Sequence, residues 1–421
     1  MAQVAMERIS YEDLYARWEK GNWRASELDF SEDRAHWHER FSDLERRGAL
    51  WNYSLFLHGE DSVADNLSPY IDAAPREEQK YFLATQQVDE ARHAVFFKRF
   101  MHEVVGRGDG TVAGTLAATR PELTWGFRRT FALLDRVTGE LRRDRSRTKL
   151  AQAVTMYHVV VEATLAQPGQ HFIEDYLTKR DLLPGFREGM KHVSQDEQRH
   201  IGFGVKLLHD LAREDPEVVD AVADLLREVF PVSVAVFVPP GWDRRYTECF
   251  GFTLEEIYTE GARSFETKLR SAGLPLDKLP GPQIYPYDLP VKERAERALA
   301  LLRAGYLGDK DGAPARDPDS MTLLFDTVRR AVDLRRVPDE PMTLQWEFPD
   351  AEPWHVRVDN GDTAAVAGRA PDPDVELRIG FEDWVDVIAG RLDPKRALAT
   401  RRLRLKGSPR ALWRARGIFA P

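Results

Sequence analysis

From about Ser31 to Gly273, apolar side chains recur at three- and four-residue spacing in long segments with few internal glycines or prolines. That is the period of helices that bury one face. The spacing predicts helices over Ser31–Arg47, Trp51–Leu67, Pro75–Val105, Thr124–Leu141, Arg147–Leu177, Pro184–Leu211, Pro216–Phe230 and Thr253–Ala272. Pro75, Pro184 and Pro216 each stand where a helix begins, a position that needs no N–H donor. Segments of this length predict an all-α bundle with extra helices around it.

The pattern breaks over 274–290, where LPLDKLPGPQIYPYDLP carries five prolines and cannot be one helix. A helical run (Val291–Ala304) follows, and then 306–320, rich in Gly, Asp and Pro, reads as an interdomain linker. Beyond it the period shortens to that of strands. MTLQWEF (342–348), WHVRVDN (354–360), TAAVAG (363–368) and VELRIG (375–380) alternate, with Asn360-Gly361 as a hairpin signal between two of them. Helical runs at Thr322–Leu334, Glu382–Ala389 and Pro394–Ala399 surround them. The expected organisation is a helical domain over 1–305 and a smaller α+β domain over 321–421.

Composition narrows the chemistry. With 60 Lys+Arg against 69 Asp+Glu, the net charge of −9 argues against a general nucleic-acid binder. Cys249 is the single cysteine, so neither an intramolecular disulfide nor a thiolate metal cluster is possible. Any metal must be held by His and carboxylate. The N-terminal residues lack the pattern of a signal peptide. The most apolar short stretch, Val232–Val238, is far below the roughly 20 residues of a membrane span. A cytoplasmic setting is expected.

Two pentapeptides carry candidate chemistry: Asp89-Glu90-Ala91-Arg92-His93 and Asp196-Glu197-Gln198-Arg199-His200. Glu and His three apart share a helix face and can point at one metal ion. Each pair has an upstream glutamate on an earlier helix, Glu60 and Glu162. One Glu from each of two helices plus Glu-x-x-His from each of the other two is a dinuclear carboxylate arrangement. Four carboxylates neutralise two divalent cations, and two imidazoles complete a shell that leaves open positions, which implies redox metals. Asp89 and Asp196 are expected to accept hydrogen bonds from the ligand histidines across the site, and Arg92 and Arg199 to neutralise buried carboxylates. A single Glu-x-x-His arises by chance, as Glu352–His355 does. Duplicated units among apolar neighbours do not, because four buried acids without a cation would be very costly. Asp61 competes with Glu60, but its face is more polar. His158, one turn before Glu162, reads as a satisfied bundle histidine.

GEDSVADNLSPYI (59–71), QQVDEARHAVFF (86–97), YHVVVEATLAQPG (157–169) and LLPGFREGMKHVSQDEQRHIGFGVKLL (182–208) resemble the ligand-binding oxidases related to the small subunit of ribonucleotide reductase. The resemblance spans roughly residues 10–290. It implies a ferritin-like bundle holding a manganese/iron or di-iron site. It further implies O2 as oxidant, a bound long-chain fatty acid and a homodimer. Glu60, Glu90 and His93 would serve the manganese side, and Glu162, Glu197 and His200 the iron side. It also implies an ether cross-link between Val63 and Tyr157, which the residue pattern alone leaves as core. WHVRVDNG (354–361), the run over 371–394 and RLRLKG (402–407) resemble the sterol-carrier-protein type-two domain, which encloses an apolar tunnel. Ser408 departs from that pattern. The alternative is an interaction domain with a filled core.

These readings converge on a dinuclear metal oxidase or oxygenase that oxidises a C–H bond of a fatty-acyl or related lipid, served by an unidentified electron donor. The alternatives are a metal-dependent lipid-binding protein without turnover and a radical-generating reductase subunit. The second needs a flexible C-terminal tail, where this chain has what reads as a folded domain.

Overall fold

The computed structural model describes residues 9–419 apart from 275, 277, 278, 280–283, 285, 311, 338, 339 and 360. The chain forms two compact units, residues 1–225 with 236–279 and residues 226–235 with 280–421. Among the described residues no helix is long and apolar enough to cross a membrane.

The first unit is a helical bundle. Its elements include α1 (Tyr11–Lys20), α2 (Ser31–Glu39), α3 (Asp43–Asn66), α4 (Glu77–Phe100), α5 (Trp125–Arg143) and α6 (Arg147–Val154). The rod begun by α6 runs on through a π-helical stretch, Thr155–Ala166, into α7 (Gln167–Arg180), and α8 (Pro184–Glu214) and α9 (Leu254–Ser271) follow. The periodicity places most of these within a few residues, but it misses α1.

It also puts the break between α2 and α3 at 48–50, where the structure has it at 40–42. They separate because Ser42 starts a new helix: its hydroxyl accepts from the Glu45 N–H at 3.2 Å, and the Glu45 carboxylate accepts from the Ser42 N–H at 2.7 Å. Such reciprocal capping satisfies two otherwise orphaned donors and is worth about 1 kcal/mol. The start of α8 is capped from outside. Leu183 before it is left-handed, with φ of 47° and no side-chain cap. Asp33 on α2 instead accepts from the N–H groups of Gly185 at 2.9 Å and Phe186 at 2.8 Å.

An aromatic core locks α3, α4 and α8 together. Phe186 lies 4.2 Å from Phe100 and 4.5 Å from Tyr53 between ring centroids. Close approach of α8 to the π-helical stretch depends on Gly204, where a Cβ would stand 2.2 Å from His158 Cβ. Gly204→Ala is therefore expected to cost about 1–3 kcal/mol of stability by overpacking. A thermal melt of the variant checks this, and an unchanged midpoint would contradict it.

The second unit carries a five-stranded sheet. Its strands are β1 (Met342–Glu347), β2 (Trp354–Asp359), β3 (Asp362–Ala367), β4 (Val375–Ile379) and β5 (Leu403–Gly407), in the order β3-β2-β1-β4-β5. β1 pairs parallel with β4, and the other pairs are antiparallel. Alternation sets the register: Met342, Leu344 and Trp346 oppose Val358, Val356 and Trp354, all buried. On this face Phe325, from the helix Pro318–Arg330, stacks on Trp354 at 4.8 Å and on Trp384 at 4.7 Å. Asn360 of the hairpin signal lies outside the described residues, while Gly361 takes a φ of 82°, which suits glycine. β5 escapes the alternation rule because only Leu403 in it is buried.

Composition suggests a linker at 306–320. In the structure, Tyr306 and Leu307 are buried in this unit, and Arg391 donates to the carbonyls of Gly305 at 2.6 Å and Gly308 at 3.2 Å. The helix Val291–Arg303 groups with this unit as well.

Candidate metal centre

Glu60 on α3, Glu90 and His93 on α4, Glu162 on the π-helical stretch, and Glu197 and His200 on α8 all converge inside the bundle. All six are buried, with the histidines wholly so. They form two overlapping groups, Glu60–Glu90–His93–Glu197 and Glu90–Glu162–Glu197–His200, and the ligand atoms of each group lie within 4.8 Å of one another. Glu90 and Glu197 belong to both. His93 Nδ1 lies 3.3 Å from Glu60, 3.5 Å from Glu90 and 3.6 Å from Glu197. His200 Nδ1 lies 3.0 Å from Glu90, 3.5 Å from Glu162 and 3.8 Å from Glu197.

The far nitrogens of both imidazoles are fixed by the opposite motif. His93 Nε2 lies 3.1 Å from Asp196 and His200 Nε2 lies 3.0 Å from Asp89. With an Nε2 proton donated to each aspartate, each Nδ1 lone pair faces the carboxylates, the tautomer a metal ligand needs. The arginines neutralise these aspartates rather than the glutamates. Arg92 pairs with Asp89 and, at 2.9 Å, with Asp196, and Arg199 pairs with Asp196 and, at 3.3 Å, with Asp89.

Two tryptophans close the cage. Trp18 Nε1 donates to Asp89 and Trp23 Nε1 to Asp196, each at 2.8 Å, while Arg92 lies over the Trp23 ring at 4.9 Å. The sequence reading missed both, and no local motif marks them. It also missed Gln86, whose amide donates to the Tyr157 hydroxyl and to Glu162, each at 3.0 Å. The Tyr157 hydroxyl donates to Glu90 at 2.5 Å. His158 stays outside the cluster and pairs with Gln86 Oε1 at 3.2 Å; burial and then His200 hold its pKa down to about 3, so it remains neutral. Asp61 is only partly buried and does not join the cluster.

The electrostatics call for cations. Burial first, then the neighbouring Glu197, pushes Glu162 up to about 8. Burial likewise raises Glu60 and Glu197. Glu90 is buried too, yet His200 and then His93 hold it well below the carboxylate range. Both histidines are raised against their burial, His93 chiefly by Glu60 and His200 chiefly by Glu90. Glu162 Oε2, Glu197 Oε2 and His200 Nδ1 are buried without hydrogen-bond partners. Orphaned, convergent oxygen and imidazole donors of this kind fit two hard or borderline divalent ions.

A pH dependence follows for the metal-stripped chain. A glutamate raised from 4.5 to about 8 on folding favours the fold below 4.5 and loses that contribution as pH rises through 8. The raised histidines act in the same direction. The unfolding midpoint of the stripped chain is expected to fall between about pH 5 and pH 8, and Mn(II) or Fe(II) to restore it most at the alkaline end. Melts across that range, with and without metal, check this; a midpoint that climbs with pH in the stripped chain would contradict it.

One face of the centre opens on a cavity with mainly apolar walls. Its walls include Leu55, Phe56, Phe127, Phe131, Val161 and Leu165, and Glu60, Glu90, Glu162 and Glu197 also border it. Val63 and Tyr157 line the same space.

Comparison with known proteins shows the family and the fold. Residues 3–235 match the family described as ribonucleotide reductase, small chain. Residues 340–420 match the SCP-2 sterol transfer family. The fold is similar to that of an R2-like ligand-binding oxidase point mutant with an anaerobically reconstituted Mn/Fe cofactor, 24% identical over 63% of this chain and 93% of that one, with a TM-score of 0.54. It is also similar to the R2-like ligand-binding oxidase from Sulfolobus acidocaldarius, 25% identical over 62% of this chain and 90% of that one, with a TM-score of 0.52.

Proposed function

Since this chain belongs to the ribonucleotide reductase small-chain family, we propose that it is a dinuclear Mn/Fe or di-iron oxidase that oxidises a C–H bond of a fatty-acyl or related lipid. The observation that carries this reading is the apolar cavity bordered by the four glutamates. Bound at those glutamates and the two histidines, the metals would supply O2 activation and oxidising power.

The chain's own residues supply the remainder. Glu60 and His93 would hold one ion, Glu162 and His200 the other, with Glu90 and Glu197 shared between them. Asp89 and Asp196 orient the imidazoles, and the arginine–tryptophan cage holds those aspartates in place. Until the cross-link forms, the Tyr157 hydroxyl, raised by burial and then by Glu162, keeps its proton and holds Glu90 in position. The aromatic and branched walls exclude water and seat an apolar chain, leaving its polar end at the carboxylates. The Val63–Tyr157 ether would form from side chains that line this space. Its formation removes two hydrogens, which intact mass spectrometry reads. The sterol-carrier-like unit would present lipid to the bundle, its tether raising the local concentration.

The test is turnover. Metal-loaded protein supplied with O2, a reductant and candidate fatty acids is expected to yield oxidised lipid. Lipid recovered unchanged, though bound, would favour a carrier without turnover, the second reading that the apolar walls support.

A further inference from the structure

A second cavity meets the centre from another side, and its chemistry is different. Glu197 borders it as well as the apolar cavity. Its lining is rich in oxygen and amide donors: Gln170, Glu174, Ser194, Gln198, Glu260 and Ser264. Gln198 is exposed and stands at its outer part, while Gln170 and Glu197 are 3% and 4% exposed. Two polar atoms of these deep residues, Gln170 Nε2 and Glu197 Oε2, have no hydrogen-bond partner. Glu174 accepts from Ser194 Oγ, and Glu260 pairs with the surface residue Arg263 at 2.7 Å.

We infer that this polar opening is the route by which hydrated divalent cations reach the centre, with Glu174 and Glu260 on its walls and Glu197 receiving the ion at its floor. The inference rests on the metal-centre reading above. A dication cannot shed its water against the phenylalanine and leucine walls of the other cavity, because a bare charge there is prohibitively costly. Hard cations exchange water for carboxylate, amide and hydroxyl oxygens with little penalty. Two carboxylates on its walls also raise the local cation concentration. The two cavities thereby divide the traffic, with apolar ligand on one side and ions on the other.

Anaerobic loading of the metal-stripped, full-length chain with Mn(II) alone tests this, followed by chelator quench and elemental analysis against time. The Glu174→Gln/Glu260→Gln double variant is expected to load about ten-fold more slowly, yet reach the wild-type metal content. Ser264→Phe, a steric plug in the same opening, is expected to slow loading too. Leu55→Phe, which narrows the apolar cavity, is expected to load at the wild-type rate. Wild-type rates in both polar-side variants would overturn the route, as would slow loading in Leu55→Phe. A reduced final content in the double variant would also overturn it, since those residues would then be ligands. A wild-type chain that takes up no Mn(II) or Fe(II) would instead sink the metal-centre reading itself.

Discussion

Glu90→Ala is expected to empty the centre of both metal ions, whereas Glu60→Ala is expected to empty one position and weaken the other. The difference follows from geometry. Glu90 stands 3.5 Å from His93 and 3.0 Å from His200, and it belongs to both groups of ligands. Glu60 belongs to one. Removing Glu90 withdraws a charge that both cations share and leaves the Tyr157 hydroxyl, buried at 2.5 Å from it, without that acceptor. A buried donor stripped of its partner costs about 1–3 kcal/mol in its own right. Elemental analysis after anaerobic reconstitution checks the prediction. Glu90→Ala retaining a full complement of metal would count decisively against the assigned centre.

Asp196→Ala should be the most destabilising single truncation around the site, by about 3–5 kcal/mol. Asp196 takes Arg92, Arg199, Trp23 Nε1 and His93 Nε2 at once, and it is 1% exposed. His93 leads the causes that, against burial, hold it well below the carboxylate range. A carboxylate depressed in this way stabilises the fold above its unfolded pKa of 3.8 and loses that contribution as the solution is acidified. Without it, two guanidinium groups that are only about a tenth exposed keep Asp89 as the remaining carboxylate of the cage. Asp196→Asn separates charge from shape. It is expected to fold, and to bind metal about 10–100-fold more weakly, because His93 loses the partner that fixes its tautomer. Melts of Asp196→Ala and metal titrations of Asp196→Asn measure the two effects. Wild-type affinity in Asp196→Asn would show that the aspartate matters to folding alone.

Much of the site is legible in one dimension because a helix turns spacing into position. Glu and His three apart must share a face, so each Asp-Glu-x-Arg-His unit announces a half-site before any fold is known. The matched upstream glutamates extend the pattern because their apolar neighbours signal burial. The alternation of Met342, Leu344 and Trp346 announces a strand for the same reason. What was not legible had no local signature. Trp18 and Trp23 reach aspartates 71 and 173 residues away, and nothing in the spacing of their neighbours points there. The apparent linker at 306–320 looked free by composition, yet glycine carbonyls within and beside it hold Arg391.

Tyr157 shows the division most clearly. Five residues separate it from Glu162, and on an α-helix that spacing puts them on different faces. Because Thr155–Ala166 is π-helical, i and i+5 are brought close to one face, and Gln86 bridges the two side chains. The amino-acid sequence by itself marked the candidate donor set and its duplication, excluded a thiolate metal cluster and determined the two classes of architecture. All of these follow from residue type and short-range periodicity. The tertiary structure alone decided which carboxylates belong to both ligand groups, which tryptophans hold the aspartates, and which cavities open on Glu197. Those depend on how separate helices cross, and local spacing carries no information about that.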